Sequence, residues 1–129
     1  EAAFLCGKEG LNPHEISRFL MNLGAKNVVL TGLEEKDRIG VMINGENEVL
    51  ARKYEGNFHG TGDMLSSIVI SAFLKGFDIQ RGSEIAVKWI SNVIEKSLKS
   101  ENASDGRFGL PFEPHLCELK HLFGGNNAL

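Results

Sequence analysis

Four consecutive residues, Gly60-Thr61-Gly62-Asp63, join an unhindered backbone to a carboxylate at the head of a long apolar segment. Glycine has no side chain, so an anionic group can come close to the amides of Gly60 and Gly62. If a helix starts here, those amides lack intrahelical partners, and the helix dipole adds about half a positive charge. Asp63 then stands in the first turn, beside the place where the anion rests. Amides that gather negative charge, next to a carboxylate that takes a hydroxyl proton, are the parts needed for phosphoryl transfer to an alcohol. The same residues also suit a helix start with no ligand, because Asp is a favoured cap and Gly-Thr-Gly a common turn.

The elements that must position this segment alternate between helix and strand. Residues 1–7 (EAAFLCG) read as a short helix ending at glycine. Asn12 and Pro13 open a second helix, amphipathic over residues 13–23 through Ile16, Phe19, Leu20 and Leu23 and closed by Gly24. Residues 27–31 (NVVLT) form a short β-branched run, apolar enough for a strand buried on both faces. Residues 38–44 and 48–54 read as an antiparallel hairpin around Gly45-Glu46-Asn47. From Asp63 to Lys75 apolar residues fall on nearly every side, which predicts a helix buried all round. Ser83 reads as the cap of a helix running to about Lys99, with Trp89 on its core face. A polar loop over residues 100–109, a short helix carrying Leu116, Leu119, Leu122 and Phe123, and a frayed glycine-rich tail complete the chain.

Composition narrows the function classes. The chain has 129 residues, 42% of them hydrophobic and 24% charged, as expected of one globular domain. A net charge of −3 with scattered basic residues gives no nucleic-acid surface. No apolar run approaches the roughly 20 residues that cross a bilayer. Two cysteines, Cys6 and Cys117, make no disulfide framework and point to a reducing compartment, the cytoplasm. His115, Cys117 and His121 fall short of a zinc set, and Cys117 reads as a small core residue. Nothing matches the P-loop pattern, and Gly60-x-Gly62 lacks the third glycine of a dinucleotide fingerprint. One buried strand and one hairpin are few for four or five helices, and the first residues read as the middle of an element. Residues 1–129 are therefore expected to be the C-terminal part of a larger α/β domain.

The order EAxxLxG, helix, Val28-Val29-Leu30-Thr31-Gly32, hairpin, Gly60-Thr61-Gly62-Asp63 and two helices resembles the C-terminal half of the ribokinase-like superfamily. Within it the chain is most similar to the pyridoxal/pyridoxamine kinases. The resemblance implies a three-layer α/β sandwich, a central sheet with helices on both faces and a β-hairpin. It implies that Gly60, Thr61 and Gly62 form an anion hole for the transferred phosphate, and that Asp63 is the base facing the acceptor hydroxymethyl group. Thr31 and Gly32 resemble the nucleotide phosphate contact. A strand-end threonine bonding its own turn is the plain alternative. Glu1 falls where an Asn-x-x-Glu motif supplies a metal-side glutamate acting through water, and its asparagine would precede residue 1. The implied cofactors are ATP and Mg²⁺, with a small-molecule alcohol as substrate and a homodimer as the intact enzyme.

Two rivals remain open. The hydroxymethylpyrimidine kinase branch also shows His-Gly-Thr-Gly but usually places cysteine where this chain has Asp63. Asp63, with Phe58-His59 before it and residues 105–109 (DGRFG) later, favours the pyridoxal side. Sugar kinases more often show Gly-Ala-Gly-Asp, so Thr61 weighs against them. A non-catalytic nucleotide-binding module is the alternative from another class.

Overall fold

The computed structural model describes residues 2–7, 10–99 and 109–124. Two helices, α1 (Ala2–Leu5) and α2 (Pro13–Asn22), precede three strands, β1 (Val29–Glu35), β2 (Arg38–Ile43) and β3 (Asn47–Arg52). Then come α3 (Thr61–Leu74), α4 (Ile79–Lys99), a 3-10 turn (Glu113–His115) and α5 (Leu116–Leu122).

α2 begins as its sequence requires. The Asn12 side chain accepts from the Glu15 N–H at 3.0 Å, and the Asn12 N–H donates back to the Glu15 carboxylate at 2.9 Å. This reciprocal box satisfies two amides that the helix leaves unpaired.

The strands form one antiparallel sheet in the order β1-β2-β3. The expected hairpin is β2–β3, with its turn one residue earlier than anticipated. Asn44 and Gly45 both take positive φ, and the Glu46 N–H donates to the Ile43 carbonyl at 3.0 Å, the arrangement that suits a right-twisted hairpin. A second turn, Lys36-Asp37, carries β1 into β2, so β1 extends four residues past Thr31. Lys36 takes the left-handed conformation with φ 53°. The expectation that β1 is buried on both faces does not hold. Among the described residues β1 lies at the edge of the sheet, and Thr31, Gly32, Glu34 and Glu35 are exposed.

Side chains alternate across β2. Val41 and Ile43 pack against Val87 of α4 on one face. Met42, on the other face, shares a cavity with Ile16 and Leu20 of α2. Helices therefore cover both sides of the central strand. A second interior lies between α3 and α4, built from Ile68, Val69, Ile85, Trp89, Ile90 and Val93. Leu65 and Ile79 pack against both clusters and join them.

α3 is not buried all round. Ile68, Val69 and Ala72 turn inward, whereas Ile70, Phe73 and Leu74 are 59%, 56% and 79% exposed. α4, the sheet and residues 110–123 pack against the inward side of α3, and the described residues leave Ile70, Phe73 and Leu74 open. The cap of α4 also moves. Asp78 accepts from the Arg81 N–H at 2.7 Å, while Ser83 lies a turn inside and donates to the Ile79 carbonyl at 2.8 Å. Trp89 is buried as expected, and its indole N–H donates to the His115 carbonyl at 3.3 Å. This bond and the Lys96–Glu118 ion pair at 2.7 Å hold the last segment against α4. Lys96, then His115, keeps the Glu118 carboxyl below the ordinary carboxylate range. Cys117 is exposed rather than in the core.

Gly40 marks the tightest contact in the sheet. A Cβ added there would lie 1.9 Å from the Val49 carbonyl oxygen, a backbone atom that cannot rotate away. Gly40→Ala should force β2 and β3 apart at a cost of about 3 kcal/mol, the upper end of overpacking penalties. Urea unfolding checks this. An unchanged midpoint would mean that the strands are not held this closely.

Candidate active site

The motif segment occupies the start of α3. Gly60 is the residue before the helix and is left-handed, with φ 87° and ψ −4°. No side chain caps the helix. The first helical bond runs from the Met64 N–H to the Gly60 carbonyl at 3.0 Å. The N–H groups of Thr61, Gly62 and Asp63 therefore have no intrahelical partner, and no other described residue bonds to them. The Thr61 hydroxyl donates to the Phe58 carbonyl at 3.1 Å, which closes the turn into the helix. Asp63 is exposed in the first turn.

Two clefts flank this helix start. The larger, about 730 Å³, is lined by Gly60 and Asp63 together with His59, Ser67, Leu110 and Phe112. The smaller, about 420 Å³, is lined by Thr61 and Gly62 together with Thr31, Gly32, Arg52, Lys53 and Tyr54. Residues three apart on a helix share a side, so Gly60 and Asp63 open one way and Thr61 and Gly62 the other. The sheet and the helix start thus bring Thr31 and Gly32 to the same cleft as Thr61 and Gly62, although thirty residues separate them in sequence.

A bulge exposes Thr31. Thr31 pairs with Val41 and Leu33 with Gly40, which leaves Gly32 as the extra residue on β1 with φ 76°. A glycine in left-handed conformation at an antiparallel bulge turns the strand locally, and here the turn is at the rim of the smaller cleft.

Arg52, Lys53 and Tyr54 are additions that motif reading does not reach. Arg52 ends β3 and Lys53 and Tyr54 follow it, and only the sheet's fold puts them opposite the helix start. The basic pair Arg52-Lys53 directly before the break at residues 55–57 is the one signal in the sequence that could have marked them. Arg52 lies over the Tyr54 ring, 5.4 Å from its centroid.

The remaining expectations divide. Glu1 and residues 105–108 lie outside the described residues. Gly109 is described, and an added Cβ there would sit 3.4 Å from the His59 carbonyl oxygen, so that segment passes close to the motif. Among the described residues no group of three or more His, Cys, Asp or Glu side chains could hold a metal ion. No described helix is long and apolar enough to cross a membrane.

The phosphomethylpyrimidine kinase family model matches residues 1–106. Among solved structures, a pyridoxal kinase from Lactobacillus plantarum superposes over 99% of this chain and 49% of its own, with a TM-score of 0.83 and 22% identity. A pyridoxal kinase from Entamoeba histolytica superposes over 94% of this chain and 44% of its own, with a TM-score of 0.72 and 20% identity. The chain thus has the fold of part of those molecules and spans about half the length of each. No curated protein sequence matches significantly.

The two motif glycines differ in what they must do. Gly60 holds a left-handed φ, so Gly60→Ala should cost about 1–2 kcal/mol. Gly62 has ordinary φ, and nothing lies within 4 Å of an added Cβ. Gly62→Ala should therefore melt at or above the wild-type temperature while placing a methyl group beside the open amides. Thermal melting of the two variants checks this. Equal destabilisation would make Gly62 a packing residue.

Proposed function

Because the chain belongs to the phosphomethylpyrimidine kinase family, we propose that the intact protein transfers the γ-phosphoryl group of ATP to the hydroxymethyl group of a B6 vitamer: pyridoxal, pyridoxamine or pyridoxine. The observation that carries this reading is the uncapped start of α3, with three unpaired amides and the exposed Asp63 carboxylate set between two clefts.

In this reading the smaller cleft takes the nucleotide's phosphates, between Thr31-Gly32 on the bulged strand and Thr61-Gly62 on the helix. Asp63, on the side of the larger cleft, faces the acceptor alcohol. The acceptor oxygen attacks the γ-phosphorus, the bond from that phosphorus to the β,γ-bridging oxygen breaks, and ADP leaves. The hydroxyl proton passes to the Asp63 carboxylate and then to solvent. The amides at Gly60–Gly62 stabilise the charge spread over the moving group.

Mg²⁺ would supply charge neutralisation on the nucleotide's phosphates, and such ions are commonly held by one or two carboxylates besides those phosphates. Among the described residues no group of three or more His, Cys, Asp or Glu side chains could hold a metal ion unaided. Glu1 is the residue proposed to act on the metal side, through water. The same proposal assigns residues 1–129 to the C-terminal, nucleotide side of one ribokinase-like domain, which suits a chain spanning half of its structural neighbours. It also takes the cytoplasm as the location, in keeping with two free cysteines.

A hydroxymethylpyrimidine acceptor is the second reading, favoured by the description of the matching family. Asp63 supports the pyridoxal reading over it. Assaying the intact protein with ATP and each alcohol separately distinguishes the two. Asp63→Ala should lower kcat by roughly 10²–10⁴, the usual contribution of a positioned general base, and leave ATP binding largely in place. Near-wild-type turnover in that variant would remove Asp63 from the chemistry.

A further inference from the structure

Lys53 is poised between two partners. Its main chain is fixed, because its N–H donates to the Asp37 carbonyl at 2.8 Å. Its ammonium group reaches across the end of the sheet to the Glu34 carboxylate at 2.6 Å. Both side chains are open to solvent, at 42% for Lys53 and 53% for Glu34. An ion pair this exposed is weak and readily exchanged. Lys53 and Glu34 also line the smaller cleft, with Thr31 and Gly62 in its wall.

The other cation there is already engaged. The Arg52 guanidinium lies over the Tyr54 ring. An ammonium on a flexible stem can swing between partners, whereas a stacked guanidinium loses its ring contact on moving.

We propose that Lys53 is a positioning residue for the nucleotide's polyphosphate, and that Glu34 holds its ammonium group at the cleft rim until the nucleotide arrives. The inference rests on the kinase reading and deepens it by adding a residue to the phosphate side. A di- or triphosphate carries several negative charges and outcompetes one solvated carboxylate for the ammonium group. Glu34 then turns to solvent, which its exposure permits. The exchange favours nucleotides with more than one phosphate, because the bound Lys53 meets charge beyond the first phosphorus. Lys53 thus reads the length of the phosphate chain.

Isothermal titration of the intact protein with ATP, ADP and AMP tests this. Lys53→Gln is expected to weaken ATP and ADP binding roughly tenfold, the worth of one hydrogen bond to a charged group, and to leave AMP unchanged. Glu34→Gln, which frees Lys53, is expected to hold or tighten ATP binding. Lys88→Gln removes the same charge from an exposed position of α4 that does not line the cleft, and should leave all three ligands unaffected. Wild-type ATP affinity in Lys53→Gln overturns the inference, as does equal weakening by Lys88→Gln or by Glu34→Gln. The last outcome would make the ion pair merely structural. Equal weakening of AMP and ATP overturns it too. A wild-type protein that binds none of the three nucleotides sinks the kinase reading and this inference together. Nucleotide binding that ignores Lys53 removes the inference alone.

Discussion

A helix that begins on a left-handed glycine begins without a cap. Most helices answer their first amides with a serine, threonine, asparagine or aspartate side chain, as α2 does with Asn12 and α4 with Asp78. α3 does not. Its preceding residue, Gly60, has no side chain to offer, and the Thr61 hydroxyl is turned back onto the Phe58 carbonyl. Three donors and the positive end of the helix dipole are left pointing outward together. The proposed chemistry depends on that unmet need.

The rest of the chain fixes where those donors point. α3 packs along α4 through Ile68, Val69 and Ala72, and α4 in turn lies on the sheet through Val87. Strand and helix start are thereby held at the walls of one cleft. The bulge at Gly32 keeps Thr31 on its rim, and the meander of three strands returns the chain so that Lys53 closes the far side. Phosphoryl transfer asks little covalent work of the protein and much positioning. A site whose parts come from a strand, a hairpin end and a helix start would meet that demand through packing rather than through any single strong bond.

The helix start at residues 60–63 was legible because its markers are local. Glycines, a carboxylate and an apolar run are adjacent in sequence, and so is the capping box of α2. What escaped reading was non-local or lacked its usual marker. The Lys36-Asp37 turn carries no glycine, proline or asparagine, so nothing in the sequence carried the strand on past Thr31. Ser83 resembled a cap, but Asp78 lies where the helix starts and takes that role. The exposed side of α3 could not be foreseen, since apolar residues on every face say only that a helix can be covered, not which of its faces the described residues cover. Arg52, Lys53 and Tyr54 join the cleft only after β3 has folded back, a placement that no spacing rule contains. Likewise, the division of Gly60 and Asp63 from Thr61 and Gly62 between two clefts follows from helix phase, which becomes meaningful only once the neighbours on each side are known.

The most direct measurement is an amide-resolved NMR titration of the ¹⁵N-labelled intact protein with ATP and Mg²⁺. If main-chain donors at the head of α3 receive the nucleotide's phosphates, the Thr61, Gly62 and Asp63 amide resonances should show the largest displacements, saturating together with binding. ATP that binds while those three resonances stay where they were would contradict the account, because the phosphates would then be held by another part of the molecule.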